Sequence, residues 1–221
     1  MAVEIMKLNI YFAGGLFDHK ELVGNKIMAE AIMRESTHFR IILPQDLEHE
    51  SSRDIHIRNA DLLGVAQADA LIVNMDGAPL DDGTVAEFIF AKALDIPCVL
   101  FRSDFRGAGD AQHAGADPWN LMLSGWPRCE RYIINALAHY EKDYEAMMAS
   151  YSHIAKGLAD ALDKVLAAPA VLSDAQELRL AFKMQQKLCG SAFEQYLSDE
   201  KIEALIQRRL DTHARYLHTL S

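Results

Sequence analysis

Strand-like and helix-like segments alternate along the first 134 residues of the chain. Short apolar runs are separated by longer segments in which apolar residues recur at helical spacing. This alternation is typical of a parallel α/β sheet. The predicted strands are Lys7–Ala13, Arg40–Leu43, Ala70–Met75, Pro97–Phe101 and a short fifth strand at Tyr132–Ile134. The predicted helices are Leu22–Glu35, Arg53–Ala66 and Thr84–Leu94.

The third strand is apolar at nearly every position, as expected for a central strand that is covered on both faces. We therefore predict an α/β fold with a doubly wound, flavodoxin-like, mostly parallel five-stranded sheet. From residue 135 the pattern is almost entirely helical. We predict a catalytic α/β domain at 1–134 and an all-helical extension at 135–221, which we expect to serve packing and assembly rather than chemistry.

Composition narrows the possible partners. The 221 residues, 50% of them hydrophobic, can form a sizeable core, and the net charge of −10 argues against nucleic acid or an acidic membrane surface as a partner. Apolar runs stay below the ~18 residues of a membrane span, and the first residues do not resemble a signal peptide. Three cysteines without CxxC spacing indicate reduced thiols. We expect a cytoplasmic protein.

Several polar residues are predicted at the carboxyl edge of the sheet, where ligands bind in open α/β folds. Most are carboxylates, and an acidic cleft suits glycosidic-bond chemistry, in which one carboxylate attacks the anomeric carbon and another acid protonates the leaving group. No metal site and no cofactor are expected, because no His–carboxylate cluster or P-loop spacing is present. The polar residues are Tyr11, Asn59, Asp61, Asp76, Asp81, Asp82, Glu87, Asp104, Arg106 and Asn120, and the turn after Tyr11 adds Gly14, Gly15, Leu16 and Phe17.

Glu87 is the most informative of these residues. It is the only ionisable side chain between Thr84 and Lys92, and it is predicted in the opening turn of an apolar helix. There the helix dipole would lower its pKa and keep it ionised, as a nucleophile requires. The alternative is purely structural, because Thr84-x-x-Glu87 also matches a helix capping box.

Four segments together resemble the nucleoside 2-deoxyribosyltransferases. They are IYFAGGLF at 10–17, RNADLLGVAQADALIVNMDG at 58–77, DDGTVAEFIFAKAL at 81–94 and DPWNLMLSG at 117–125. The resemblance covers roughly residues 7–134. The D-x-G-T-x-x-E portion is shared with other nucleotide glycosidases, whereas the N-L-M portion is more particular to this family.

The resemblance implies that 2-deoxyribose moves from a deoxynucleoside to a free nucleobase with retention of configuration. Glu87 would form a covalent deoxyribosyl intermediate, Tyr11 would orient it, and Asp61 and Asp81 would bind the base and handle its proton. Asn120 would reach into a neighbouring subunit, which implies a homo-oligomer. The remaining residues implied to bind substrate are Gly14, Gly15, Leu16, Phe17, Asp76, Gly83 and Met122.

Two departures from the family pattern bear on specificity. Many relatives have an aromatic residue where Leu16 stands, so the pocket wall differs. Relatives usually end near the fifth strand with a residue that lines the pocket, and here that contribution must be absent or rebuilt from the residues that follow.

Two other functions stay open. The first is hydrolysis of N-glycosides such as deoxynucleosides or their 5′-monophosphates, although the Gly14–Phe17 turn lacks the Ser or Arg of a phosphate site. The second is a non-enzymatic receiver-like module, which requires an acidic pair after the first strand where this chain has Ala13-Gly14-Gly15.

Overall fold

The computed structural model describes residues 7–47, 54–107 and 115–219. Within these ranges, five parallel strands form one sheet in the order β2-β1-β3-β4-β5. This confirms the predicted doubly wound α/β fold. The strands are β1 (Leu8–Ala13), β2 (Phe39–Ile42), β3 (Ala70–Asn74), β4 (Cys98–Arg102) and β5 (Cys129–Ile133).

Seven α-helices are described. Short 3-10 turns at Pro44–Asp46, Leu121–Leu123 and Ala136–His139 connect some of the elements. Two helix starts differ from the predicted ones, because an aspartate that precedes the predicted start caps each helix. The predicted start of the second helix, Arg53, lies outside the described residues. The helices are α1 (His19–Glu35), α2 (Asp54–Ala66), α3 (Asp82–Ala93), α4 (Tyr144–Ala167), α5 (Ala175–Leu188), α6 (Ser191–Glu194) and α7 (Asp199–Thr219).

Side chains alternate between the two faces of the sheet and form two cores. Ile10 and Phe12 of β1 point to the face that α1 and α4 cover. Tyr11 and Ala13 point to the opposite face, where α3, α5, α6 and α7 pack. Tyr11 is therefore completely buried although it carries a hydroxyl group. A buried hydroxyl requires a hydrogen-bond partner, and this partner is described below.

The helices after β5 pack against the sheet in the same chain. Helix α4 contacts α1, β4 and β5, and its buried residues belong to the same core as Phe12. Helices α5 and α7 pack against each other and share the other core with Phe88 and Phe90 of α3. The division into domains at residue 135 stays a prediction.

Charged side chains attach α7 and the loop between α4 and α5 to the amino edge of the sheet. Asp95 accepts hydrogen bonds from the backbone N–H groups of Val171 and Leu172 at 2.8 and 3.0 Å. Arg208 forms an ion pair with Asp69, which is almost fully buried. These contacts lie at the edge opposite to the one at which ligands bind in such sheets.

Candidate active site

Tyr11 and Glu87 form the centre of the candidate site. The Tyr11 hydroxyl, at the end of β1, donates a 2.6 Å hydrogen bond to Oε1 of Glu87 on α3. Glu87 is in the second turn of α3, because the helix begins at Asp82. The predicted position in the opening turn is therefore wrong. The capping-box alternative is also wrong, because Asp81 caps the helix and Thr84 does not.

The predicted pKa of Glu87 must also be corrected. The pKa of this carboxyl group is raised to about 7: burial raises it most, the hydrogen bond from Tyr11 lowers it, and the negative charges of Asp61 and Asp81 contribute smaller increases. The dipole effect is confined to the first turn of a helix, and Glu87 lies beyond it. Loss of hydration thus outweighs the favourable hydrogen bond.

Tyr11 stays protonated in this environment. Burial, followed by the negative charges of Glu87 and Asp61, raises the pKa of its phenol far above the ordinary value. The hydroxyl group is therefore a permanent donor to Glu87 throughout the physiological pH range. The structure brings together two residues that are 76 positions apart in the chain.

The Asp81 side chain caps α3 within this site. Its Oδ2 atom accepts hydrogen bonds from the backbone N–H and the hydroxyl group of Thr84, at 2.6 and 2.7 Å. These bonds fix the start of α3 and leave Oδ1 outside the cap. Asp61 on α2 is close enough for its charge to act on both Tyr11 and Glu87. The structure thus groups Tyr11, Asp61, Asp81 and Glu87 as expected from the sequence.

A cleft with a volume of about 550 Å³ opens at the carboxyl edge of the sheet; Asp81 of this group lines it, and Tyr11, Asp61 and Glu87 do not. Its size is in the range of small-molecule sites. Gly15, Asp76 and Asp81 line it, together with Lys20 and Glu21 of α1. Its floor is apolar and belongs to the core under α1 and α4. The floor residues are Phe12, Met28, Phe101 and Ile154.

The segment after β5 forms the opposite wall of this cleft. His139 lies in the turn before α4, and Met147, Ser150 and Tyr151 lie on α4 itself. Ser150 donates a 2.9 Å hydrogen bond to the carbonyl oxygen of His139, which connects the turn to the helix. These residues of the extension thus line the cleft, and the expectation that the extension serves packing and assembly rather than chemistry stays a prediction. Helical spacing did not reveal this role, because these side chains also fit an amphipathic helix.

The predicted Asp76 holds two loops together at the edge of the sheet. Its carboxylate accepts hydrogen bonds from the backbone N–H and hydroxyl of Ser103, both at 2.6 Å, and from the N–H of Asp104 at 2.7 Å. The fully buried Arg102 donates to the carbonyl oxygens of Met75 and Gly77. Sequence analysis missed Arg102, although an arginine that ends an apolar strand was a possible signal.

The glycine turn after β1 is explained by its close contact with α1. A methyl group on Gly15 would lie 2.7 Å from Oε1 of Glu21, so a larger residue would displace this carboxylate. Gly14 is buried beside Asn74, and Leu16 is partly buried. Phe17 is 81% exposed. The structure places neither Leu16 nor Phe17 in the wall of the cleft.

Other predicted residues lie outside the group. Asn59 is fully buried and its Oδ1 accepts hydrogen bonds from Arg58, which makes it part of the interior. Asp104 forms an ion pair with Arg106 that lowers the pKa of Asp104. Asp82 is exposed in the first turn of α3, as is Gly83 next to it.

Asn120 and Met122 lie on the surface. Oδ1 of Asn120 accepts a 2.9 Å hydrogen bond from the backbone N–H of Met122, which caps the short turn that follows. The Met122 side chain is 71% exposed, and neighbouring Leu121 is 61% exposed. Within one chain, Asn120 does not line the cleft.

Across residues 7–47, 54–107 and 115–219, no group of three or more His, Cys, Asp or Glu side chains is placed to bind a metal ion. In the same ranges, no helix combines the length and apolar character needed to cross a bilayer.

Comparisons with solved structures found several similar folds. A conserved protein from Enterococcus faecalis V583 is 24% identical with a TM-score of 0.47, and the match covers 66% of this chain and 98% of that chain. A 2-desoxiribosyltransferase from Leishmania mexicana is 22% identical with a TM-score of 0.46, covering 66% and 97%. A 2-deoxyribosyltransferase from Bacillus psychrosaccharolyticus is 20% identical with a TM-score of 0.41, covering 63% and 95%.

A search of curated proteins found no match. A comparison with family models matched residues 10–122 to the nucleoside 2-deoxyribosyltransferases. The matched region contains the strand that carries Tyr11, the α2 helix with Asp61, and the α3 helix with Asp81 and Glu87. It extends over more than half of the chain, and on this basis the protein belongs to the nucleoside 2-deoxyribosyltransferase family.

Proposed function

We propose that the protein transfers 2-deoxyribose between nucleobases by double displacement, with Glu87 as the nucleophile. The observation that carries this proposal is the hydrogen bond from Tyr11 to Glu87. Two further carboxyl groups, those of Asp61 and Asp81, lie close enough for their charges to act on Glu87. One carboxylate to attack and another acid to move a proton are the groups that glycosidic-bond cleavage requires.

In the first displacement, Oε of ionised Glu87 forms a bond to the anomeric carbon of the deoxynucleoside. The bond between that carbon and the ring nitrogen breaks, and its electron pair leaves with the base. A proton reaches the base through Asp61 or Asp81, the carboxyl groups nearest to Glu87. The product is a deoxyribosyl ester of Glu87 and a free base.

In the second displacement, a ring nitrogen of a new base attacks the anomeric carbon and the ester bond breaks. The new base loses its proton to the group that donated one before, by microscopic reversibility. Two inversions at one carbon give net retention of configuration. The Tyr11 hydroxyl stabilises the released Glu87 carboxylate by donating its hydrogen bond again.

The cleft that Asp81 lines supplies space for the substrate, although Tyr11, Asp61 and Glu87 are not among its lining residues. A volume of about 550 Å³ with an apolar floor suits a nucleoside. Glu21, Asp76 and Asp81 surround the opening, and Lys20 is the cationic side chain on the α1 side. This excess of carboxylates favours a neutral nucleoside over a nucleotide with a 5′-phosphate.

Base exchange and hydrolysis can be separated in one assay. The protein is incubated with deoxyinosine, and then with thymidine, each with and without adenine, and products are separated by chromatography. Formation of deoxyadenosine that depends on adenine supports transfer. Free deoxyribose formed at the same rate without adenine would instead support the hydrolase, and deoxyinosine 5′-monophosphate as donor tests that alternative.

The proposed assembly is a homo-oligomer in which Asn120 enters the site of a neighbouring subunit. Its exposed position, outside the cleft of its own chain, supports this arrangement. The exposed Leu121 and Met122 beside it add apolar surface of the kind that subunit interfaces bury.

A further inference from the structure

We infer that Gly64 of α2 is a positioning residue, whose missing side chain lets the Tyr11 ring occupy the place from which its hydroxyl group reaches Glu87. The inference rests on the proposed function only in taking Glu87 as the nucleophile. Gly64 acts through Tyr11 and has no contact with substrate of its own.

The spatial evidence is the close approach of Gly64 to the tyrosine ring. A methyl group on Gly64 would lie 2.9 Å from Cε2 and 3.3 Å from Cδ2 of Tyr11, and 3.4 Å from Cδ1 of Leu47. Carbon atoms in proteins do not approach to 2.9 Å without a shift. Any larger residue at position 64 therefore requires movement of either the ring or the helix.

The ring has little freedom to move by itself. Tyr11 is fully buried, and its backbone pairs with Ile42 of β2 on one side and Leu71 of β3 on the other. The ring is therefore held at the Cα end by the centre of the sheet. A push from Gly64 at Cε2 acts on the side of the ring next to the hydroxyl group, at the end that meets Glu87.

Helix α2 connects Gly64 with a second member of the site. Asp61 precedes Gly64 by three residues and so lies on the same side of the helix. If α2 moved outward to make room for a methyl group, Asp61 would move away from Tyr11 and Glu87 too. Either response disturbs the charges and hydrogen bonds around Glu87.

Helix propensity argues that the glycine at this position has a spatial role. In a helix interior, glycine is about 1 kcal/mol less favourable than alanine. Gly64 lies in the last turn of α2 and is itself buried. A methyl group would improve the helix but could not be placed against Tyr11, so the two effects oppose each other.

The first test measures the Glu87 pKa directly and needs no enzymatic activity. Protein labelled with ¹³C at glutamate carboxyl carbons is titrated by NMR, and the Glu87 signal is identified by its absence in Glu87→Gln. Because the Tyr11 hydrogen bond lowers this pKa, Gly64→Ala is expected to raise it in the same direction as Tyr11→Phe. An unchanged or lowered Glu87 pKa in folded Gly64→Ala overturns the inference, because a lowered pKa would mean that α2 moved with Asp61 while the Tyr11 hydrogen bond stayed intact.

Gly24→Ala is the matched control for this titration. Gly24 is also inside a helix, and a methyl group there would meet no atom within 4 Å. Its Glu87 pKa is expected to equal that of the unaltered protein. Gly24 lines the cleft, so it serves as a control for the pKa and not for catalysis.

The second test asks whether Gly64 acts through the Tyr11 hydroxyl. In the double variant Gly64→Ala with Tyr11→Phe, the loss in kcat is expected to be close to that of Tyr11→Phe alone. If the loss in kcat of the double variant equals the product of the two single losses, Gly64 does not act through the Tyr11 hydroxyl, and the inference is overturned. If Gly64→Ala alone does not fold, Leu47→Ala is added to open space beside the new methyl group. Failure of this variant to fold also counts against the inference.

These results separate the inference from the proposed function. A protein without base exchange on any nucleoside contradicts the proposed function, while the NMR titration still decides the role of Gly64. A protein with base exchange, but with the same Glu87 pKa in Gly64→Ala, contradicts only the inference.

Discussion

The hydroxyl group of Tyr11 donates a 2.6 Å hydrogen bond to the carboxylate of Glu87, and this bond opposes the effect of burial on that carboxylate. Without hydration, Glu87 favours its neutral form, and two nearby aspartates favour it further. The hydrogen bond stabilises the ionised form that the proposed reaction needs. Reactivity at this site is thus a balance between desolvation and one fixed donor.

Glu87→Gln is expected to lower base exchange by several orders of magnitude, because an amide cannot form the proposed ester. The fold should persist, since Gln can still accept the hydrogen bond from Tyr11. Product formation and circular dichroism are the measurements. A folded variant with full activity would exclude Glu87 as the nucleophile.

The same substitution is expected to change how stability depends on pH. The Glu87 pKa is about 7 in the folded protein, against an ordinary value of 4.5. A raised carboxyl pKa means that the folded state binds the proton more tightly than the unfolded state does. The stabilisation that protonated Glu87 gives to the folded state is therefore fully present below pH 4.5 and is lost as pH rises towards 7.

Glu87→Gln removes this titration. Its free energy of unfolding should therefore exceed that of the unaltered protein at pH 8, by up to about 3 kcal/mol, and the difference should shrink towards pH 4. Urea unfolding at pH 4, 6 and 8 provides the measurement. A difference that does not vary with pH would mean that Glu87 is not destabilised by burial.

Activity should also have an acidic limb near pH 7, since only ionised Glu87 attacks. Asp61→Asn removes a negative charge that raises the Glu87 pKa, so the limb in kcat/KM should move to lower pH. Tyr11→Phe should move it to higher pH. The pH dependence of kcat/KM between pH 5 and pH 9 tests both directions. An acidic limb at the same pH in both variants would mean that it does not report the ionisation of Glu87.

Asp61→Asn and Asp81→Asn are expected to slow poor leaving groups more than good ones, if these residues protonate the departing base. Asn at position 81 can still cap α3, so the helix start should remain intact. The comparison uses deoxyinosine and a deoxynucleoside with an activated leaving group. Equal losses on both substrates would remove the proposed acid role.

Met147→Trp is expected to raise the KM for nucleosides about 10-fold or more by filling the cleft, which corresponds to about 1.4 kcal/mol of binding free energy. Ala149→Trp is the control, because Ala149 is exposed on the same helix and does not line the cleft. Steady-state kinetics of both variants decide the matter. Equal KM values would mean that substrate does not enter between α1 and α4.

Mixing Glu87→Ala chains with Asn120→Ala chains is expected to restore activity, if Asn120 completes the site of a neighbouring subunit. Some mixed oligomers would then contain a site with both residues intact. Subunit exchange is checked with differently tagged chains. No recovery, with exchange demonstrated, would place Asn120 outside the proposed shared site.

The sequence by itself determined the sheet and the members of the central group. Short apolar runs alternating with segments of helical period predicted a doubly wound, mostly parallel sheet, because such alternation is typical of α/β folds. Strand ends then meet at one edge, which is why Tyr11, Asp61, Asp81 and Glu87 could be predicted to lie together.

Tertiary structure decided the properties of that group. The Glu87 pKa depends on burial by residues far away in the chain, and the sequence pattern suggested a change in the opposite direction. The start of α3 at Asp82 depended on a choice between two possible caps, Asp81 and Thr84. Local sequence could not make that choice.

The role of the helices after β5 was also decided in three dimensions. Helical periodicity predicted their type, and it could not show that Met147 and Tyr151 face a cleft. Nor could it show that a methyl group added to Gly64 would lie 2.9 Å from Cε2 of Tyr11. Such contacts join residues distant in sequence, and only packing against the sheet brings them together.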